Sequence, residues 1–280
     1  MIRILRPGDE ALLEAFLLPL TDSSVFLRAN ARTGGLDDRG LALQATYAAR
    51  LGASGQVEAV AAHCWNGMLL IQAPDDPGGV ARAALKASGR PLQGISGPYA
   101  QVLETGRALG LKASRHALKE GLYTLELAQL VPPPPLQFLS VRRTRDTDLP
   151  LCARWRADYL RETGLAAPDD PDVGEKARQG VALFHDQGGS FLLENGKQEL
   201  LAYSGFNAQL PGTVQIGGVW TPPALRGRGY ARCAVAGSLL VAQPERAVLF
   251  TPETNAPAIR AYESLGFRRV GEYGLLFTGL

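Results

Sequence analysis

Four consecutive prolines in Val131-Pro-Pro-Pro-Pro-Leu136 constrain the fold of this chain more than any other feature. They remove four backbone donors and hold φ near about −65°, so neither a helix interior nor a central strand can pass through them. The stretch reads as a stiff, extended spacer. A chain of 280 residues is longer than one average core usually organises. The spacer therefore divides it into a first domain at 1–131, a linker at 132–136 and a second domain at 137–280.

The two halves open and close alike. Ile2 to Asp9 reads as a short strand ending in Arg-Pro-Gly-Asp, before an apolar helix from Ala11 to Leu18. Phe138 to Asp146 reads as a strand ending in Arg-Thr-Arg-Asp, before a helix from Leu149 to Glu162. Near the other end, Ala108-Leu-Gly-Leu111 closes a helix ahead of a strand from Gly121 to Leu127. Ser264-Leu-Gly-Phe267 does the same ahead of a strand from Tyr273 to Phe277. Glycine just past a helix is a general C-cap, but the doubled order predicts two copies of one α+β unit.

Between those ends the second half alternates. The spacing predicts a helix over Pro171 to Phe184 and strands over Ser190 to Glu194, Glu199 to Phe206 and Thr213 to Trp220. Asn195-Gly196 and Pro211-Gly212 are turn signals between the strands. A helix from about Gly229 to Ala242, a strand from Arg246 to Thr251 and a helix from Pro257 to Leu265 follow.

Charge and cysteine usage remove several functions. Lys plus Arg number 29 against 27 Asp plus Glu, so the whole chain makes no electrostatic case for nucleic acid or an acidic membrane surface. No apolar run reaches the length of a membrane span, and MIRILRPGDE lacks the core of a secretory signal. Cys64, Cys152 and Cys233 are isolated, as are His63, His116 and His185, so no zinc site or disulfide framework is expected. His63 and Cys64 are adjacent, but neighbours on a strand point to opposite faces. Cytoplasm is the expected compartment.

The chemistry is concentrated in Val214 to Leu240, in the order strand, glycine-containing arginine loop, helix. Arg226, Gly227, Arg228, Gly229, Tyr230 and Ala231 place backbone N–H groups at a helix start with little side chain in the way. Those donors and the helix dipole suit an anion, and two linked phosphates would fill the site. Arg226, Arg228 and Arg232 are the only charged residues of the stretch. A P-loop would need Gly-Lys-Ser/Thr where Gly229-Tyr230-Ala231 stands. A dinucleotide fingerprint would need a third glycine where Arg232 stands.

Arg226-x-x-Gly229-x-Ala231 resembles the [RQ]-x-x-G-x-[GA] loop of the GNAT superfamily of N-acetyltransferases. Asn255, Ala258, Tyr262, Gly266 and Phe267 resemble that family's later signature, in the same order and separation. With its first half, the chain is similar to a tandem GNAT subgroup whose first copy is degenerate. The resemblance implies two GNAT-like α+β domains, each a mixed, mainly antiparallel sheet flanked by helices. It implies acetyl-CoA as co-substrate without a metal, and an amine-bearing acceptor, small molecule or peptide. Pantetheine would lie beside Gly218, Val219, Trp220 and Thr221, the pyrophosphate on residues 226–231, and Asn255 against the cofactor backbone. Tyr262 would protonate the leaving thiolate.

The glycine pair Gly217-Gly218 suits a bulge and close ligand approach. Helix capping and core packing are the ordinary roles of Asn255 and Tyr262. No carboxylate lies in Thr213 to Trp220, which leaves Glu253, Asp158 and Glu162 as remote candidates for a general base. In the first half, Gly106 stands where the second has Tyr262, and Pro74-Asp-Asp-Pro-Gly-Gly79 stands where the second has arginines. Two aspartates would repel a pyrophosphate, so that half is expected to have lost the cofactor. Tyr47, Trp65 and Asn66 either line an acceptor surface there or belong to core and loops. Another acyl-CoA, an aminoacyl donor, a non-catalytic CoA sensor and a homodimer stay open.

Overall fold

The structure is a computed structural model, and it describes residues 1–112 and 117–278. His116 therefore lies outside the described residues. The chain divides into two compact units. The first comprises Met1–Leu122, Thr251–Thr254 and Val270–Leu280, and the second Tyr123–Phe250 and Asn255–Arg269.

The first unit contains β1 (Ile2–Ile4), α1 (Glu10–Leu17), α2 (Thr21–Gly34), β2 (Ala45–Leu51), β3 (Val57–Cys64), β4 (Met68–Gln72), α3 (Pro77–Ser88), β5 (Gly94–Pro98) and α4 (Tyr99–Ala108). Its sheet runs β1-β2-β3-β4-β5, antiparallel except where β4 lies parallel to β5. The next strand beside β5 comes from the far end of the sequence: Tyr273 to Phe277 pair antiparallel with Pro98 to Gly94. Leu276 joins Ile71, Val80, Ile95 and Val102 in a core of this unit. Tyr47 is buried among Leu13, Leu17 and Leu27, and its hydroxyl donates to the Leu27 carbonyl at 3.1 Å. Trp65 packs partly against the same cluster, while Asn66 is an exposed turn residue accepting from the Met68 N–H. Core and loop, rather than an acceptor surface, account for Tyr47, Trp65 and Asn66.

The second unit contains β7 (Ser140–Arg143), α5 (Leu149–Glu162), α6 (Val173–Asp186), β8 (Ser190–Glu194), β9 (Leu200–Leu210), β10 (Thr213–Trp220), α7 (Tyr230–Ala242), β11 (Arg246–Pro252) and α8 (Ala256–Ser264). The strand before the prolines, β6 (Leu118–Glu126), and the strand after α8, β12 (Arg268–Phe277), are the remaining strands among the described residues. Packing cuts across the sequence boundary. Tyr123 and Leu125 are buried with Phe191, Phe206 and Ile216 of the second unit, and the partly buried Leu127 and Leu130 pack against them, whereas Val270–Leu280 belongs to the first. The domain division at the prolines thus differs from the packing at both ends. Alternating apolar residues identify a strand, but not the sheet it joins.

The prolines also do more than extend the chain. Pro133 is extended, but Pro134–Phe138 forms a short 3-10 helix with proline in its first turn, where an N–H is not needed. Just before it, the Val131 N–H donates to the Leu265 carbonyl at 3.0 Å. The spacer is anchored within the second unit.

The second sheet is antiparallel through β7-β8-β9-β10, with β11 parallel to β10. Helix α7 lies on one face. Val235, Ala236 and Leu239 meet Phe191, Phe206, Val214 and Ile216 there. Its small residues allow close approach: a Cβ on Gly237 would lie 2.7 Å from the Val141 Cβ. Helices α5 and α6 cover the other face through Cys152, Val181, Leu192, Tyr203 and Trp220. Arg142 on β7 sets the start of α5, holding the Asp148 N-cap position at 2.7 Å while also pairing with Glu194 at 2.8 Å.

Candidate functional site

The site is built where β10 outruns its partner. Parallel pairing with β11 runs from Thr213↔Arg246 to Ile216↔Leu249 and then stops, although β10 continues to Trp220. A strand edge without a partner exposes backbone donors and acceptors to anything extended beside it. On its other edge β10 pairs with β9 through two register shifts, one between Gln215 and Ile216 and one between Gly217 and Trp220. The bulge expected at Gly217-Gly218 is present, with Gly218 at φ +64°. That left-handed backbone favours glycine, and a Cβ there would also lie 2.8 Å from Arg156 Nη1.

Beyond Trp220 and Thr221 a single 3-10 turn, Pro223–Leu225, leads into the arginine loop. Gly227 and Gly229 both take left-handed φ, +77° and +79°, and Gly229 is the N-cap of α7. This conformation aims successive N–H groups to one side, as an anion-binding nest does. Among the described residues, no N–H from 227 to 232 has a hydrogen-bond acceptor. Arg232 Nε is buried without a partner in the same place. The unpaired donors of the helix start, with the orphaned Arg232 Nε lying against Gly229, suit a phosphate anion.

The Arg226 side chain turns away from that position. Its Nε donates to the Thr221 carbonyl at 3.0 Å, its Nη2 to Glu162 at 2.8 Å, and its guanidinium stacks 4.8 Å over the Trp220 ring. Arg226 ties the loop to the end of β10 and to α5. Glu162 serves as the other end of this tie. Asp158 pairs with Arg161 on the helix surface, and Glu253 is salt-bridged to Lys119 within the first unit. None of the three carboxylates is placed as a general base.

Tyr262 on α8 is half-buried. It packs against the α7-side core and meets Phe267 edge-on at 6.0 Å. Burial raises its phenol well above the ordinary tyrosine range, with a smaller push from Tyr159. It remains a proton donor at neutral and mildly alkaline pH. Asn255 caps α8, its Oδ1 accepting from the Ala258 N–H at 3.2 Å. The ordinary role of that residue is thus realised, leaving its amide N–H groups as its means of touching a ligand.

The profile of the Acetyltransferase (GNAT) family matches residues 151–267, which span the bulged strand, the glycine loop and Tyr262. This part of the chain is a GNAT domain. The fold of the whole chain resembles that of several solved structures. One is a Drosophila protein, 13% identical with a TM-score of 0.65, covering 99% of this chain and 98% of that one. Another is a GCN5-related N-acetyltransferase from Sphaerobacter thermophilus, 15% identical with a TM-score of 0.58, covering 99% and 94%. A third is a tandem GNAT protein from the clavulanic acid biosynthesis pathway, 14% identical with a TM-score of 0.57, covering 100% and 99%. A search of curated proteins finds no match. The likeness over both halves shows the tandem GNAT fold.

Within the GNAT domain the structure adds residues that the sequence did not single out. Asn207 is the extra residue of β9 opposite the Gln215/Ile216 shift, and its amide lies over Gly217. Asn207 Oδ1, Gln215 Oε1, Trp220 Nε1 and Thr221 Oγ1 are buried with no hydrogen-bond partner among the described residues. Arg156 of α5 lies against Gly218, and Tyr159 meets Trp220 edge-on at 6.4 Å. Asn207 and Gln215 read only as strand residues, and Arg156 as one helix charge among several. The helical spacing of Arg156 and Tyr159 was the one available signal. Among the described residues no His, Cys, Asp and Glu group could hold a metal, and no helix is long and apolar enough to cross a membrane.

Proposed function

We propose that the GNAT domain moves an acetyl group from acetyl-CoA to a primary amine of a small molecule or peptide. The observation that carries this reading is the run of unpaired N–H groups from 227 to 232 at the start of α7, beside the bulged, unpaired end of β10. Gly227, Arg228, Gly229, Tyr230 and Ala231 would hold the pyrophosphate through their backbone. Gly218, Val219, Trp220 and Thr221 would line the pantetheine arm. The orphaned Thr221 hydroxyl and Arg232 Nε are groups that a polar ligand would satisfy. Arg226 shapes the loop from behind.

Acetyl-CoA would supply an acetyl group activated as a thioester. The neutral amine forms the new C–N bond as the C–S bond breaks, so the amine must lose a proton and the thiolate must gain one. Tyr262 is the proton donor in this reading, since its raised phenol stays protonated. With no carboxylate placed at the site, the amine's proton leaves through water. The corresponding helix start in the first unit is less suited to an anion: Asp76 stands at the N-cap of α3, and Pro77 removes an N–H from its first turn. That supports a first unit without its own cofactor. The three free, buried cysteines fit a reducing compartment, the cytoplasm.

Calorimetric titration with acetyl-CoA, followed by thiol release over a panel of amines, tests the reading. Micromolar binding and amine-dependent thiol release support it. Folded protein that binds no acetyl-CoA refutes it, and faster turnover of a longer acyl-CoA would replace the donor.

A further inference from the structure

Arg156 is a charge without a counter-charge. It is half-buried in α5, yet among the described residues it has no hydrogen bond and no carboxylate within 4.0 Å. Arg28, Arg90 and Arg142, which are also withdrawn from solvent, pair with Glu14, Asp38 and Asp148 respectively. A withdrawn guanidinium lacking an anion is disfavoured unless one arrives.

Its surroundings orient it. The guanidinium carbon lies 5.1 Å from the centre of the Tyr159 ring and 5.5 Å from that of Phe184, so two aromatic faces limit its tilt. Nη1 rests against the backbone at Gly218, where any side chain would displace it. The charge therefore sits at the bulge of β10, where the strand has lost its β11 partner. A buried phenol nearby, Tyr203, also feels its field. The anion-binding loop of residues 226–232 is a separate structure at the start of α7, and the proposed pantetheine path beside β10 carries no charge. A single planar fork held between two aromatic rings matches the two oxygens of a carboxylate.

Close by, Asn207 Oδ1 and Gln215 Oε1 are buried acceptors without donors. A protonatable amine supplies the donors they lack. We infer that the acceptor of this GNAT domain is a small amino acid whose carboxylate is bound by Arg156, while its amine lies towards the β9–β10 bulge. The inference rests on the acyltransferase reading above and names its substrate class.

The test uses the full chain, the common amino acids and their carboxamides, with acetyl-CoA binding measured first. Wild type is expected to prefer a free acid over its carboxamide at least tenfold in kcat/KM. In Arg156→Gln the KM for the acid should rise at least tenfold, with kcat changed less than threefold and acetyl-CoA affinity unchanged. Arg156→Lys should recover part of the loss, which a merely structural role would not produce. Gly218→Ala, which keeps the charge but displaces the guanidinium, should also erode the preference for acids. Acetyl-CoA binding with equal use of acids and carboxamides, or with no amino acid used, overturns this inference alone. A weakened acetyl-CoA affinity in Arg156→Gln assigns the charge to the donor and overturns it too. Absence of acetyl-CoA binding in wild type overturns the functional reading on which it rests.

Discussion

Arg226 separates two ways in which an arginine can serve an anion loop: by its charge or by holding the loop in shape. Its Nε bond to the Thr221 carbonyl, its pair with Glu162 and its stacking on Trp220 all point to shape. The Glu162 pair is about half exposed, 42% on the arginine side and 50% on the glutamate side, so it contributes only about 0.5 kcal/mol. The bond to a backbone carbonyl by a charged donor contributes about 1.5 kcal/mol at the lower end of its range, and the ring contact about 0.5. If the loop relaxes when untied, acetyl-CoA affinity falls by up to those amounts, at about 1.4 kcal/mol per tenfold. Glu162→Gln should then weaken binding roughly twofold. Arg226→Lys keeps the charge but loses the planar fork, and should weaken it about tenfold or somewhat more. Arg226→Ala should weaken it further still. Isothermal titration with acetyl-CoA at fixed ionic strength reads all three. Wild-type affinity in Arg226→Lys, with a large loss in Arg226→Ala, would show that charge alone matters and would refute the argument from shape.

Three further outcomes are expected. Tyr262→Phe should lower turnover at least tenfold while changing acetyl-CoA affinity less than twofold in a single-turnover and binding comparison; because burial raises the phenol, wild-type turnover should show no loss from this group up to about pH 10. Burial raises the Glu120 carboxyl from 4.5 to about 7, so the folded first unit is penalised as pH climbs through that window and fully so above it. Glu120→Gln should remove this slope and raise stability at pH 8 by up to about 3 kcal/mol, read as the pH dependence of Tm. Gly237→Ala should destabilise the second unit by about 1–2 kcal/mol in urea despite alanine's better helix propensity, because its methyl would crowd the Val141 side chain.

Much of the local structure follows from the sequence alone. The spans of α5, β8 and β10 follow from apolar period and turn residues, because those signals are set by neighbours a few places away. The glycine loop is legible for the same reason: left-handed φ at Gly227 and Gly229 and a helix start after them are local requirements. Asn195 likewise marks a hairpin, although its side chain closes a longer turn by accepting from the N–H groups of Lys197 and Glu199. What the tertiary structure decided is pairing over distance. It placed residues 270–280 in the first unit and 123–131 in the second, since a strand's hydrogen bonds do not name their partner. It turned the Arg226 side chain onto Glu162, 64 residues away, and left Arg156 without an acid. Whether a charge is answered depends on every element that packs around it. A sequence orders those elements, and only the folded chain brings them within reach of one another.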